Sequence, residues 1–325
     1  MKSKSLLQPY YYVKKWFNLV PLFYYNFKRY LKFSATRDSE ESLIGYLTMA
    51  VHGIEKGLTM GDFRAGFGRD RLLKLLDESE NYIKKYGLSN IQIHHIATVV
   101  NDYNLSHQAI GYQLDSEMSE KINHFLSHFD CQQGSEIQID CTKEDYFSYN
   151  HADFAQFSKS RHSCRDFSGE SVPLDRIDQA ICLAQTAPSA CNRQPARIYV
   201  LADKQMIADV LALHGGTRGF AHKIDKLIMV CGYIPCYLSI ERDCVYTDCG
   251  IFAMNLLYSL HYHEIGACIL NWSVTPDKDR MCRKIVHVPD EEVICSLIAC
   301  GNVPQHFKVC NSGKKLSDSI IHHVE

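Results

Sequence analysis

Apolar residues recur with one period in the first part of this chain and with another in the second. Up to about residue 130 the spacing is helical. Leu43, Leu47, Ala50 and Ile54 share one face of a first helix, and Asp38 with Glu41 three residues on resembles a capping box at its start. Leu72, Leu75, Leu76, Ile83 and Tyr86 define a second helix from about Arg69 to Tyr86, with Gly87 as its stop. Ile96, Val99, Val100 and Tyr103 suggest a third helix, and Ile122, Phe125, Leu126 and Phe129 a fourth. After a polar link at Gln132–Ile139 the grammar changes, and seven of the nine prolines fall at or after Pro173. Arg197–Leu201, Leu227–Cys231 and Val293–Cys300 read as buried strands. Pro173–Leu183, Lys204–Leu213 and Asp248–His261 read as helices. That alternation predicts a sheet covered by helices.

The length, 325 residues, supports two domains. A boundary near the link divides a helical region, 1–140, from a second domain, 145–325. Hydrophobic residues at 46% and charged residues at 22% exclude wholesale disorder. A net charge of −2 and a pI near 6.7 argue against a general nucleic-acid binder. The charge is uneven: residues 1–33 hold seven cations and no acid, which leaves −9 for the rest. This arm also carries Tyr10, Tyr11, Tyr12, Trp16, Phe17, Phe23, Tyr24, Tyr25, Phe27, Tyr30 and Phe33. Its lysines and Pro21 interrupt it short of the ~20 apolar residues that span a bilayer. Cations beside aromatics suit either peripheral contact with a membrane surface or packing on the chain itself or a partner subunit.

Fourteen cysteines lie mostly inside apolar stretches, where the thiol acts as a small hydrophobe. Three pairs have C-x4-C spacing, Cys231/Cys236, Cys244/Cys249 and Cys295/Cys300, and none has zinc-knuckle spacing. No metal site is expected. The start lacks the apolar core of a secretory signal, so reduced thiols and a cytoplasmic setting are the expectation.

Three segments hold candidate chemistry. His52-Gly-Ile-Glu-Lys-Gly-Leu58 and Arg64-Ala-Gly-Phe-Gly68 read either as a ligand loop or as a helix connection. In Ser160-Arg-His-Ser-Cys-Arg-Asp-Phe167, two arginines four apart with a hydroxyl between them can grip a phosphate through forked hydrogen bonds, or can be solvated surface residues. Ala187-Pro-Ser-Ala-Cys-Asn-Arg-Gln-Pro195 leads into a strand. Its small residues admit a flat ligand, and Asn192 and Gln194 offer amide donors and acceptors.

In this order and separation, the last two segments resemble the nitroreductase family of flavin enzymes over roughly residues 150–325. The R-x-S-x-R-like stretch is Arg161 to Arg165, and the A-P-S-x-x-N-x-Q-P signature runs from Ala187 to Pro195. Asp248-Cys-Gly250 with Asn255-Leu256-Leu257 resembles the family's central helix. Ile265–Cys268 resembles the turn toward the flavin edge, and Cys300-Gly301-Asn302-Val303-Pro304 the strand end before the closing segment. The resemblance implies an α+β fold with a central mixed sheet flanked by helices. It also implies FMN held between the subunits of a homodimer, with hydride passing from NAD(P)H through flavin N5 to a second small-molecule substrate in ping-pong fashion.

Carried over residue by residue, Arg161, Lys314 and Lys315 would bind the phosphate, and Ser163 the phosphate or ribityl chain. Arg165 would serve the ribityl chain or the N1/O2 side of the ring. His162 lies within the same stretch, and Gly301 at the strand end. Pro188, Ser189 and Ala190 would lie along the ring from the other subunit, with Asn192 and Gln194 at its polar edge. Leu270 and Asn271 would address N5 and O4 through their backbone, beside Trp272. No side-chain acid or base is required. Two departures affect substrate size: Trp272 stands where many members have glycine, and Ala196 stands where an aromatic is common. Other flavin chemistry on this fold, such as dehydrogenation or reductive dehalogenation, and a non-catalytic flavin-binding scaffold are the alternatives. The helical region should pack on the reductase core and bring His52, Glu55, Lys56 and Arg64 near the open side of the flavin.

Overall fold

The computed structural model describes residues 8–33, 39–61, 63–129, 138–238, 241 and 243–324. Helix α1 (Gln8–Phe33) contains Pro21 and leaves Tyr12, Trp16, Phe17, Phe23 and Phe27 exposed. None of the described helices is long and apolar enough to cross a membrane.

Helices α2 (Glu40–Leu58), α3 (Arg69–Tyr86), α4 (Ile91–Ala109) and α5 (Ser116–Leu126) follow, and their apolar stripes meet in one core. Leu47, Ile54, Leu72, Leu75, Ile96, Val100, Tyr103, Ile122 and Phe125 are all buried there. The start of α2 differs from expectation. Ser39 caps it, its Oγ accepting from the Ser42 N–H at 3.1 Å, while Asp38 lies outside the described residues. Phe129 falls beyond the end of α5.

The glycine-bounded stretch His52–Leu58 is not a loop; it is the last two turns of α2. Its glycines stand one turn apart and make room for close neighbours. A Cβ on Gly53 would meet the Arg71 guanidinium, and one on Gly57 would fall 2.1 Å from the Phe67 ring. Arg64–Gly68 is the connection to α3. It is pinned by a hydrogen bond from the Gly66 N–H to His107 Nε2 and another from the Tyr103 hydroxyl to the Phe67 carbonyl.

Beyond the link, Gln138 and Ile139 already belong to a strand, β1 (Gln138–Thr142), so the link ends sooner than its polarity suggests. Helices α6 (Lys143–Phe147), α7 (Phe154–Ser160) and α8 (Leu174–Ala184) come next. After them run β2 (Ala196–Leu201), α9 (Lys204–His214), β3 (Lys226–Tyr233), α10 (Cys244–Tyr262), β4 (Gly266–Asn271), α11 (Pro276–Val286), β5 (Glu292–Gly301) and β6 (His306–Cys310). Strand β1 pairs with β6. The other four form a sheet in the order β2-β3-β5-β4, antiparallel at every described pairing, where a mixed sheet is expected.

This α+β domain buries both faces of its sheet. Leu227, Met229, Cys231, Leu297 and Ala299 face α9, through Ile207, Val210 and Leu211. Ile228, Val230, Ile298 and Cys300 face α10 and α8, through Cys249, Ala253, Leu256, Ile177 and Ala180. A strand packed on both sides has no polar face, which is why β3 and β5 read as apolar runs, with Ser296 of β5 the exception.

Two glycines of α2 should respond oppositely to alanine. Gly45 has open space around its Cα, so Gly45→Ala should stabilise by roughly 0.5–1 kcal/mol through helix propensity. Gly57→Ala must displace the Phe67 ring and should cost about 1–3 kcal/mol. Urea unfolding of both variants checks the signs.

Candidate functional site

The residues after α7 leave the helix in an extended conformation and run along the outer edge of β4. There the Cys164 N–H donates to the Ala267 carbonyl at 2.9 Å. Four successive side chains, Cys164 to Phe167, are buried as a result. Phe167 packs on Gly301, where a Cβ would approach its ring to 2.9 Å, so packing accounts for that glycine.

Successive residues of an extended chain point to opposite sides. Asp166 therefore cannot neutralise Arg165, and pairs instead with Lys223 at 3.0 Å. Arg165 is 9% exposed, and its Nη1 donates to the Cys310 thiol at 3.7 Å. Arg161 Nε is buried with no hydrogen-bond partner. Among the described residues, neither arginine has a carboxylate within ion-pair distance. A guanidinium withdrawn from water in this way is strongly destabilised unless an anion joins it.

The neighbouring groups register that uncompensated charge. His162 Nδ1 donates to the Cys310 carbonyl, 3.2 Å away, and the ring titrates below the ordinary histidine range. Burial is the main cause, with Arg161 and Lys314 adding to it. His261 sits behind Arg161, with Nε2 3.0 Å from Ser160 Oγ and a buried, unpartnered Nδ1. Burial, then Arg161 and His162, push its pKa down to about 4. Ser163 is partly buried between the arginines. Lys314 and Lys315 follow β6 and are exposed.

Leu270 and Asn271 end β4. Leu270 is buried in the core, while the Asn271 carbonyl accepts from His214 Nε2 at 2.9 Å. Trp272 is tied to its own domain. Its indole N–H donates to Asp279 at 2.8 Å, and the ring stacks on His214.

The helical region meets this site at the end of α2. Lys56 donates to the Gly216 carbonyl at 2.9 Å, and its pKa is lowered, by burial first and by Arg165 second. Thr59 Oγ1 lies 3.8 Å from Cys310 Sγ, and Gly61 packs against Asp166. Glu55 is buried between His52 at 3.2 Å and His95 at 3.8 Å, and Gly313 lies against His95. Arg64 stays in the exposed connection and makes no described contact with this surface.

The signature Ala187–Pro195 is elsewhere. Ser189 Oγ accepts from the Gln194 N–H at 2.9 Å, and the Gln194 amide donates to Asn192 Oδ1 at 3.2 Å. Asp248 on α10 accepts from the Ala190 N–H at 3.0 Å and from the Tyr237 hydroxyl. Glu241 clamps Arg193 through two hydrogen bonds. Cys191, Asn192 and Gln194 all hold positive φ, which these anchors sustain.

The Pro195 carbonyl accepts from the Tyr233 N–H, and Tyr233 stands opposite Glu292, the first residue of β5. Phe167 packs on Gly301, the last residue of β5. Nine residue steps at ~3.3 Å separate the two clusters by roughly 30 Å. One chain therefore brings Arg161, His162, Ser163, Arg165 and Lys314 into one neighbourhood. It leaves Pro188, Ser189, Ala190, Asn192 and Gln194 at the far end of the sheet. Glu241, Cys310, Gly216 and Thr59 escape sequence reading because no motif marks them. Only the pairing of β6 and the end of α2 bring the last three together.

Residues 158–215 match the nitroreductase family. The chain is 27% identical over 154 residues to a protein of Methanothermobacter thermautotrophicus named for NADH dehydrogenase or NAD(P)H nitroreductase activity, covering 46% of this chain and 76% of that one. It is 36% identical over 59 residues to an iodotyrosine deiodinase of Haliscomenobacter hydrossis, covering 18% and 27%. Among solved structures, a nitroreductase family protein of Streptococcus pneumoniae aligns at 20% identity and a TM-score of 0.46, over 53% of this chain and all of that one. An FMN-dependent nitroreductase of Clostridium difficile aligns at 19% and 0.43, over 52% and 98%.

Histidine 261 makes the stability of this site sensitive to acid. Its folded pKa lies near 4 against an ordinary 6.5, so as pH falls below 6.5 the unfolded chain takes up a proton that the folded chain refuses. Stability attributable to this residue should fall by up to roughly 3 kcal/mol between pH 6.5 and 4, and no further below that. Denaturant midpoints at pH 6.5 and 4.5 should converge in His261→Phe, whose ring suits the surrounding Tyr146, Phe147 and Phe157.

Proposed function

We propose, from a C-terminal domain that belongs to the nitroreductase family, that this chain is an FMN-dependent NAD(P)H oxidoreductase. The observation that carries the reading is the pair Arg161 and Arg165, the first partly buried with its Nε enclosed and the second buried, with no carboxylate in ion-pair distance among the described residues. FMN fits that vacancy of charge, since it brings a phosphate dianion and an electron-rich pyrimidine edge to a surface that is cationic and lined by hydroxyl and backbone groups. When bound, it supplies hydride acceptance from NAD(P)H and delivery to a second substrate.

Within this reading Arg161 and the exposed Lys314 and Lys315 hold the phosphate, and Ser163 hydrogen-bonds the phosphate or ribityl chain. Arg165 supplies a cation to the ring side, where the low dielectric around it strengthens the interaction. Lys56 adds a second cation from the helical region. A lowered pKa reduces its preference for the charged form, so it is suited to respond to an arriving anion. Leu270 and Asn271 offer backbone groups at the end of β4. Gly301 supports the site only by admitting Phe167.

The signature Pro188–Gln194 completes the site from a second subunit, because within one chain it lies at the wrong end of β5. The proposal is thus a homodimer with each site built from both copies. The match to an iodotyrosine deiodinase over 59 residues supports reductive dehalogenation as a second reading of the same site.

Purified protein should carry flavin absorbance that NADH or NADPH bleaches under nitrogen; a colourless protein that takes up no added FMN would refute the proposal. Restoring the colour with nitroaromatic or with halogenated phenolic oxidants separates the two readings. Arg161→Ala should weaken FMN binding by about 10- to 150-fold, the equivalent of losing a charged hydrogen bond of 1.5–3 kcal/mol, with unchanged far-ultraviolet dichroism. Sedimentation followed at flavin absorbance should show cofactor leaving as dimers dissociate on dilution. A monomer that retains full FMN would contradict the shared site.

A further inference from the structure

The helical region carries a second polar cluster, separate from the residues of the candidate site. His124 lies on α5 and His128 one turn later, just past its end, with the i, i+4 spacing that places two imidazoles on one side of a helix. Glu80, on α3, faces both. Its Oε2 is 3.1 Å from His128 Nε2 and 3.8 Å from His124 Nε2. Its other oxygen, Oε1, is buried and has no hydrogen-bond partner among the described residues. One donor atom from each of the three residues lies within 4.8 Å of the others.

From this convergence we propose that Glu80, His124 and His128 form a binding site for a divalent cation of the zinc class, bridging α3 and α5. The donor set decides the metal. Two imidazole nitrogens and one carboxylate suit zinc, whereas magnesium and calcium take oxygen ligands. Legs of ~2.0–2.1 Å in a tetrahedron put ligand atoms about 3.3 Å apart, and the two Glu80–histidine separations already bracket that figure. The remaining adjustment falls on His124, whose side chain is 68% exposed and free to swing.

Two charged neighbours leave the site undisturbed or assist it. Lys121 is occupied by Asp77, at 2.6 Å and 2.8 Å. Glu120, one turn before His124, lines the same hollow of about 290 Å³ and adds negative potential beside the open fourth position. Two protonated histidines sharing one carboxylate would leave Oε1 as idle as it is now; a metal ion gives that carboxylate a partner able to use both oxygens. Because the ligands come from two helices of the same core, occupancy would tie α3 to α5 and stabilise the helical region.

The test uses the full chain, stripped with chelator and titrated with Zn2+ by calorimetry and with Co2+ by absorption. Thirteen described cysteines are free and compete for either ion, so the spectrum matters. The expected result is one equivalent bound at micromolar or tighter affinity, with cobalt d–d bands but no thiolate charge-transfer band. Zinc should raise the melting temperature of wild type. His124→Ala, a change at an exposed position, should weaken binding at least tenfold and remove that rise, while melting like wild type without metal. Glu80→Gln should behave likewise. Unchanged zinc affinity in both variants, a charge-transfer band assigning the ion to cysteine, or no binding below millimolar concentration would overturn the site.

Discussion

Positive charge held out of water without a negative partner organises the functional edge of this protein. Arg165 reaches its buried position because the chain runs extended beside β4, and the same geometry turns Asp166 away toward Lys223. Everything nearby adjusts to that imbalance. His162, His261 and Lys56 all titrate low, and in each a neighbouring arginine adds to the effect of burial. In a settled structural ion pair, charges cancel and neighbours keep near-ordinary values. Here the field is left open, and an open field of one sign in a low-dielectric wall is what captures an oppositely charged ligand.

The helical region bears on this edge through the last turn of α2. Lys56, Thr59 and Gly61 reach Gly216, Cys310 and Asp166 respectively, so three separate parts of the second domain converge on one helix end. Glu55 is buried on the same helix, where His52 and His95 flank it. A helix that is buried on one side by its own core and touches the cationic edge at its terminus couples the two cores mechanically.

Much of this was legible beforehand, for identifiable reasons. Helices α3 and α4 announce themselves because one face of each is continuously apolar, and Gly87 ends α3 at positive φ as a stop should. Strands β3 and β5 are visible because burial on both faces leaves their centres apolar but for Ser296. By contrast, β6 alternates exposed and buried positions over only five residues, and β4 is interrupted by exposed Ile269, so neither stands out. The His52–Leu58 stretch misleads because glycines that serve close packing inside a helix use the same letters as a loop. At the candidate site, spacing singles out Arg161, Ser163 and Arg165, and the fold sets them on one extended segment beside β4. Cys310 and Glu241 are not, since only tertiary folding gives them roles.

The ends of β5 impose the last constraint. One end carries Arg161 and the buried Arg165 and the other the anchored signature loop, with three non-glycine residues held at positive φ. Backbone strain persists only where surroundings over-determine it, and Asp248, Tyr237 and Glu241 do so here without any help from the arginine cluster. The loop is therefore held in its conformation by its own chain. An isolated chain has no internal use for such a surface, since its own cationic edge is roughly 30 Å away along the strand. Helix α10, whose Asp248 anchors the loop, also leaves Tyr246, Ile251 and Met254 exposed along its length. Apolar exposure continuous with a strained, preorganised loop is the arrangement expected of a surface completed by a second copy. Two-fold symmetry would then give each cationic edge a loop from its partner, so that neither copy needs to fold back on itself.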